Sequence, residues 1–286
     1  MNPPLPCATV PRRAPLALPA WLKAPPALLL APVLVLLTAC ATPGSLPADQ
    51  PNAIATASDQ SDAERRARVR MELASGYFGR DQLETALDEV KLAIAAKGDL
   101  AEAYNLRALI YAAMGEDRLA EDSFARALQL NPRDGAALHN QAWFNCQRNR
   151  FAVAQAQFTA LLAMPQYRDI ARSLLARGVC YGRDGQLADA EATLMRAYEL
   201  EPANPSIGIN LADVLFRREA YERASFYIGR INQVPDAANA QTLWLGARIE
   251  RKLGRDSAMR VLGDRLRRDF SSSPEAALFE RGRFDD

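Results

Sequence analysis

The chain has 286 residues, 49% of them hydrophobic, which is enough to bury a substantial core. Aromatic residues make up only 7% of it, while Ala, Leu, Arg and Glu dominate; these are strong helix formers, so the composition points to an all-α protein. With 35 basic against 34 acidic residues there is no surplus of positive charge to hold a phosphate backbone, and nucleic acid is not an expected partner.

Residues 1–39 read as a lipoprotein signal peptide. Residues 1–24 carry Arg12, Arg13 and Lys23 and no acid, and an apolar run from Ala27 to Leu37 follows. That run suits a signal-peptide core and is too short to span a bilayer, which takes ~20 apolar residues. It ends in Leu37-Thr38-Ala39-Cys40, which resembles a bacterial lipobox. In such signals a diacylglycerol is attached to the cysteine and cleavage falls just before it, so Cys40 is the expected lipidation site. An uncleaved anchor is the alternative. Ala41 follows the cysteine where an Asp would retain the protein at the inner membrane; by resemblance to other lipoproteins this favours the outer membrane. Residues 40–63 hold the lipidated cysteine and a Pro-, Ala-, Ser- and Asp-rich stretch without apolar period. They read as a flexible tether whose ends would lie ~25 Å apart.

From residue 64 to 286 the chain is self-similar. Ala86, Ala120 and Ala154 fall 34 residues apart, Ala190 comes 36 later and Ala224 another 34. The pattern resembles the tetratricopeptide repeat, in which small residues at positions 8, 20 and 27 let two antiparallel helices pack closely and large residues fill the gaps. Taking each alanine as position 20 predicts repeats over 67–100, 101–134, 135–170, 171–204 and 205–238. A looser sixth covers 239–270, with Ala258 at position 20, and a closing helix covers 274–282 behind Pro274. The expected fold is therefore an all-α superhelical solenoid of about six helix–turn–helix repeats with a capping helix, and it is expected to act as a monomer.

In that architecture the first helix of each repeat lines a groove through positions 2, 5, 9, 12 and 13. Met71, Phe78, Leu109 and Trp143 then form an apolar strip across repeats 1–3, edged by Asn105 and His139; Arg172, Arg183 and Arg217 make the lining of repeats 4 and 5 more charged. An exposed apolar strip marks a partner site, and a helix or an extended peptide could lie in it. The competing reading is that Phe78 and Trp143 pack inward against neighbouring helices.

Cys146 and Cys180 sit at nearly equivalent places on the first helices of repeats 3 and 4. In an oxidising compartment a disulfide between them would close a ~34-residue loop worth roughly 4 kcal/mol by chain entropy; two buried free thiols are the alternative. His139 is the only histidine, so there is no histidine pair for a metal and little with which to build a nucleophilic triad. No Gly-rich phosphate loop occurs, and the carboxylates fall at surface ion-pair spacing. Neither an enzyme nor a cofactor or metal is expected.

Several segments go beyond what helix packing demands: Ala101–Tyr111, Leu138–Arg148, Tyr167–Arg172, Asn239–Leu245 and Phe279–Phe284. With the lipobox they resemble the type IV pilus biogenesis/stability lipoproteins, the PilW/PilF family of secretin pilotins. Gly98, where a helix-stopping Pro is commoner, and Gln141, in a stretch usually more aromatic, depart from the pattern; Gln141 is expected near the groove. The resemblance implies a lipoprotein on the periplasmic face of the outer membrane. Such a protein would bind the pilus secretin, bring it to that membrane and promote its assembly. The rival expectation is a general periplasmic scaffold that recruits cell-wall or outer-membrane assembly proteins.

Overall fold

The computed structural model describes residues 61–284; the lipobox, Cys40 and nearly all of the expected tether lie outside them. The described residues form thirteen helices in chain order: α1 (Asp62–Phe78), α2 (Leu83–Ala96), α3 (Ala101–Met114), α4 (Asp117–Leu130), α5 (Gly135–Gln147), α6 (Phe151–Leu162), α7 (Ile170–Arg183), α8 (Leu187–Leu200), α9 (Pro205–Arg217), α10 (Tyr221–Asn232), α11 (Ala240–Lys252), α12 (Asp256–Asp269) and α13 (Pro274–Glu280). Among the described residues there is no strand, and no helix is long and apolar enough to cross a membrane. This is a tetratricopeptide solenoid: α1–α2 through α11–α12 are the six helix pairs. Asp62 and Ala63, assigned to the tether from sequence, already belong to α1.

Local chemistry explains where the helices begin. The Ser61 hydroxyl accepts from the Glu64 amide while the Glu64 carboxylate accepts from the Ser61 amide, a reciprocal capping box. Asn239 and Thr242 repeat the device at α11. Asp134 caps α5. Asn204 caps α9 and Ser273 caps α13, each with Pro at the first turn, where a missing N–H costs nothing.

The turn inside each pair explains the repeat. Asp81, Gly115, Asn149, Gly185, Glu219 and Gly254 all have φ between 58° and 81°, and each falls at position 15 of its repeat. The left-handed turn brings the second helix back at Leu83, Asp117, Phe151, Leu187, Tyr221 and Asp256. These starts, with Gly254, place the sixth repeat from residue 240, one later than the alanine spacing predicts. Ala258 is therefore not its position 20; Met259 is.

The alanines at positions 8 and 20 are fully buried where the first five repeats have them: Ala74, Ala86, Ala108, Ala120, Ala142, Ala154, Ala190, Ala212 and Ala224 are 0% exposed. At Gly178, the position 8 of repeat 4, even a Cβ would lie 2.6 Å from Leu194 Cγ. Position 24 carries the opposite demand. Val90, Phe124, Phe158, Leu194 and Ile228 fill it in repeats 1–5. In repeat 6 the residue is Gly263, and the space is taken by the Phe279 ring of α13, which would come within 1.9 Å of any added Cβ. The sixth repeat thus borrows its large side chain from the closing helix, which ends at Glu280 rather than 282.

Every pair of packed helices belongs to one repeat or to adjacent ones, the one-dimensional arrangement of a solenoid. Arginines at the turns tie neighbours together: Arg148 pairs with Asp117 and donates to Ala112 O at 3.1 Å, and Arg217 donates to Gly182 O at 2.8 Å. In each case a cation meets carbonyls at the C-terminal end of the preceding first helix, where the helix dipole favours it. Position 3 shows what a neighbour provides. Ala103, Ala137, Ser173, Ile207 and Thr242 are at most 1% exposed, whereas Val69, with no repeat before it among the described residues, is 54% exposed.

Candidate partner-binding groove

The first helices α1, α3, α5, α7, α9 and α11 stack side by side, and the residues assigned to the groove lie on α1, α3 and α5. Met71 and Phe78 are half-buried against a cluster that joins Ala74, Ala86, Leu87 and Val90 of repeat 1 to Ala103, Leu106 and Ile110 of repeat 2. Leu109 is half-buried against the Phe124–Phe144 cluster. Trp143 is half-buried against Cys146, Cys180 and Phe158. Each of the four is therefore anchored in the core by one part and exposed by another. They rest on three core clusters that follow one another along repeats 1–4. Asn105 accepts from the Asn140 side-chain amide at 3.2 Å, a polar link between α3 and α5 along the row.

His139 does not belong to the groove. It is 6% exposed; its Nδ1 lies 2.6 Å from Ser173 Oγ, which is 2.6 Å from the Tyr167 hydroxyl. The ring also meets Phe158 edge-on at 6.0 Å. Burial pushes its pKa from 6.5 down to about 4, helped by Arg172 and opposed by Asp169. A neutral imidazole wedged between repeats 3 and 4 is a packing element, because position 5 here points at the small position 3 of the following repeat. Gln141 is likewise drawn away from the groove: it accepts from Gln157 of its partner helix α6 at 2.8 Å.

Cys146 and Cys180 are joined by a disulfide with Cα atoms 5.8 Å apart, well within the usual span. It ties α5 to α7 beneath Trp143. Among the described residues no group of three or more His, Cys, Asp or Glu side chains is placed to hold a metal ion.

The far end of the same face differs in chemistry. In its structural register, repeat 6 sets Trp244, Arg248 and Arg251 at positions 5, 9 and 12. Trp244 is buried under the Phe284 ring, 5.0 Å away. Arg248 donates to Phe284 O at 2.9 Å and lies over the Phe216 ring; Arg251 lies over Phe284. Sequence reasoning named neither arginine because it read groove positions only in repeats 1–5; with repeat 6 starting at 239, Arg251 falls at position 13, whereas Arg248 falls at position 10, off the groove positions. The glycine of the turn, Gly254, carried the correct signal. Asp213 faces this cluster; desolvation raises its carboxyl pKa, while Arg217 and Arg248 oppose that shift.

Comparisons with known proteins agree with this architecture. The tetratricopeptide repeat family matches residues 101–134 and 171–204. The type IV pilus assembly protein PilF of Pseudomonas aeruginosa is 25% identical over 244 residues, covering 85% of this chain and 93% of that protein. The crystal structure of PilW, described as a widely conserved type IV pilus biogenesis factor, superposes with a TM-score of 0.69 at 27% identity over 75% of this chain and 98% of that one. The structure of Pseudomonas aeruginosa PilF gives 0.67 at 22% identity, over 78% and 100%. The chain thus carries tetratricopeptide repeats and is similar, in sequence and in structure, to the type IV pilus biogenesis proteins PilF and PilW.

Proposed function

We propose that this chain acts in type IV pilus biogenesis as a non-catalytic, lipid-anchored adaptor on the periplasmic face of the outer membrane. It binds the pilus secretin and promotes its localisation and assembly there. The observation that carries the reading is the row of half-exposed apolar side chains, Met71, Phe78, Leu109 and Trp143, on the first helices of a chain similar to PilF and PilW. Such a row offers a protein segment apolar contact without any catalytic group. The lipobox at Cys40 supports the anchor: acyl chains contribute ~0.8 kcal/mol per buried CH₂, and several together hold firmly.

Two substitutions test the reading. Cys40→Ala is expected to leave secretin rings depleted in the outer membrane, and rings at normal levels would refute piloting. Leu109→Glu with Trp143→Glu is expected to abolish co-purification of the secretin while helicity by circular dichroism persists. Enrichment of cell-wall enzymes without secretin would favour a general envelope scaffold instead.

A further inference from the structure

We infer that the partner segment crosses repeats 2 and 3 as an extended chain, with one of its peptide groups hydrogen-bonded by Asn105 and Asn140; this rests on the reading that the first helices take a protein segment. Asn105 lies on α3 and Asn140 on α5. The Asn140 amide donates to Asn105 Oδ1 at 3.2 Å, and both side chains are half-buried. A carboxamide carries one acceptor oxygen and one donor NH₂. With the two joined end to end, the Asn105 NH₂ and the Asn140 oxygen are left without a hydrogen-bond partner among the described residues. The sealed side-chain polar atom that lacks a partner among those residues is Asn232 Oδ1, so the two spare groups of the pair are open to solvent.

Neighbouring carboxamides behave differently. Gln157 donates to Gln141 Oε1, Asn145 to Gln157 Oε1, and Arg150 to Asn145 Oδ1. All three of those oxygens are spent inside the fold. The open pair instead sits beside the apolar side chains. Leu109 follows Asn105 by four residues and Trp143 follows Asn140 by three, spacings that keep each on its asparagine's side of the helix. One donor next to one acceptor is the complement of a peptide group, which offers a C=O and an N–H. A helix has already bonded those groups to each other, so a helical partner could meet the pair only with a side chain. An extended segment leaves them free to bond sideways while its alternate side chains reach Leu109 and Trp143. The asparagines would thus hold main chain, and the apolar residues would select what flanks it.

The test uses the full chain purified in detergent, fluorescence anisotropy and short labelled peptides tiling the pilus secretin. At least one peptide is expected to bind and to lose binding with Trp143→Glu. Single N-methyl groups are then walked along its backbone. One position is expected to weaken binding about tenfold. That penalty should vanish in the double variant Asn105→Ala with Asn140→Ala, which lacks the acceptor. It should persist in Asn210→Ala, whose amide is bonded to Ser206 O within its own helix. Comparing plain and methylated peptide on the same variant removes any effect of the substitution on folding. Tolerance of N-methylation at every position, a penalty unchanged in the double variant, or a gain of helicity by the bound peptide overturns the inference. Each of those results leaves the Leu109 and Trp143 effects on secretin capture standing. If no secretin peptide binds in a Trp143-dependent way, the groove reading falls and this inference falls with it.

Discussion

Position 15 shows how single residues carry the repeat. The left-handed turn is needed six times, and glycine supplies it in repeats 2, 4 and 6, whereas Asp81, Asn149 and Glu219 supply it in repeats 1, 3 and 5. Asp and Asn tolerate that region; an exposed Glu does so at a cost of roughly 1–2 kcal/mol relative to the right-handed well. Glu219→Gly is therefore expected to stabilise the fold by about 0.5–1 kcal/mol, after the extra freedom that glycine gives the unfolded chain is deducted. An unchanged or lower melting temperature would rule this out. His139 makes the opposite kind of statement. Its folded pKa of about 4 lies below the ordinary 6.5, so on unfolding it takes up a proton between those values. Its contribution is complete above pH 6.5 and is lost as pH falls towards 4, by at most ~1.4 kcal/mol per pH unit. His139→Gln, which can still bond Ser173, is expected to be less stable than the parent at pH 7 and to close that gap by pH 4.5; a gap independent of pH would mean that the imidazole is not held neutral.

At the scale of elements, what was legible in the sequence was what the backbone period dictates. The alanine spacing located the helix pairs of repeats 1–5 because only small side chains fit where two helices nearly touch. It misplaced repeat 6 because that repeat does not follow the rule by itself: Met259 stands at position 20 and Gly263 at position 24, and Phe279 from α13 fills the gap. A residue supplied from another helix leaves no trace in a periodic count. Gly263→Ala is expected to expel the Phe279 ring, cost about 1–3 kcal/mol, and loosen α13 together with Phe284, whose ring is 5.5 Å from that of Phe279. Hydrogen exchange should register this as lost protection in α13 with little change in α1–α8. Uniform loss along the chain would contradict the borrowed-residue account. The site was read less fully than the fold for a related reason. Position numbers place a residue on its helix, as they did for Leu109 and Trp143, but do not reveal whether the next repeat covers it, as Ser173 covers His139.

Across the whole described solenoid, contacts reach only one repeat in either direction, so stability is a sum of local pair energies and interface energies and need not be uniform. Among the described residues the first pair has no neighbour on one side, and it exposes Val69 and Leu73, 54% and 40%. Repeats 3 and 4 are tied by the Cys146–Cys180 disulfide across 34 residues, by the buried His139–Ser173 contact and by Arg183. The chain should therefore open from its first pair while the centre stays closed, and native-state hydrogen exchange should rank α1 and α2 well below α5 to α8. Reduction removes the cross-link that limits the unfolded centre, a loss of about 2–4 kcal/mol or roughly 5–10 °C in melting temperature. Because Trp143 rests on the same cluster as the two cysteines, reduction should also weaken secretin capture, more at 37 °C than in the cold. If the reduced protein melts as before and still ranks α5 to α8 highest, helix packing alone holds the centre and the disulfide is not what stiffens the floor of the groove.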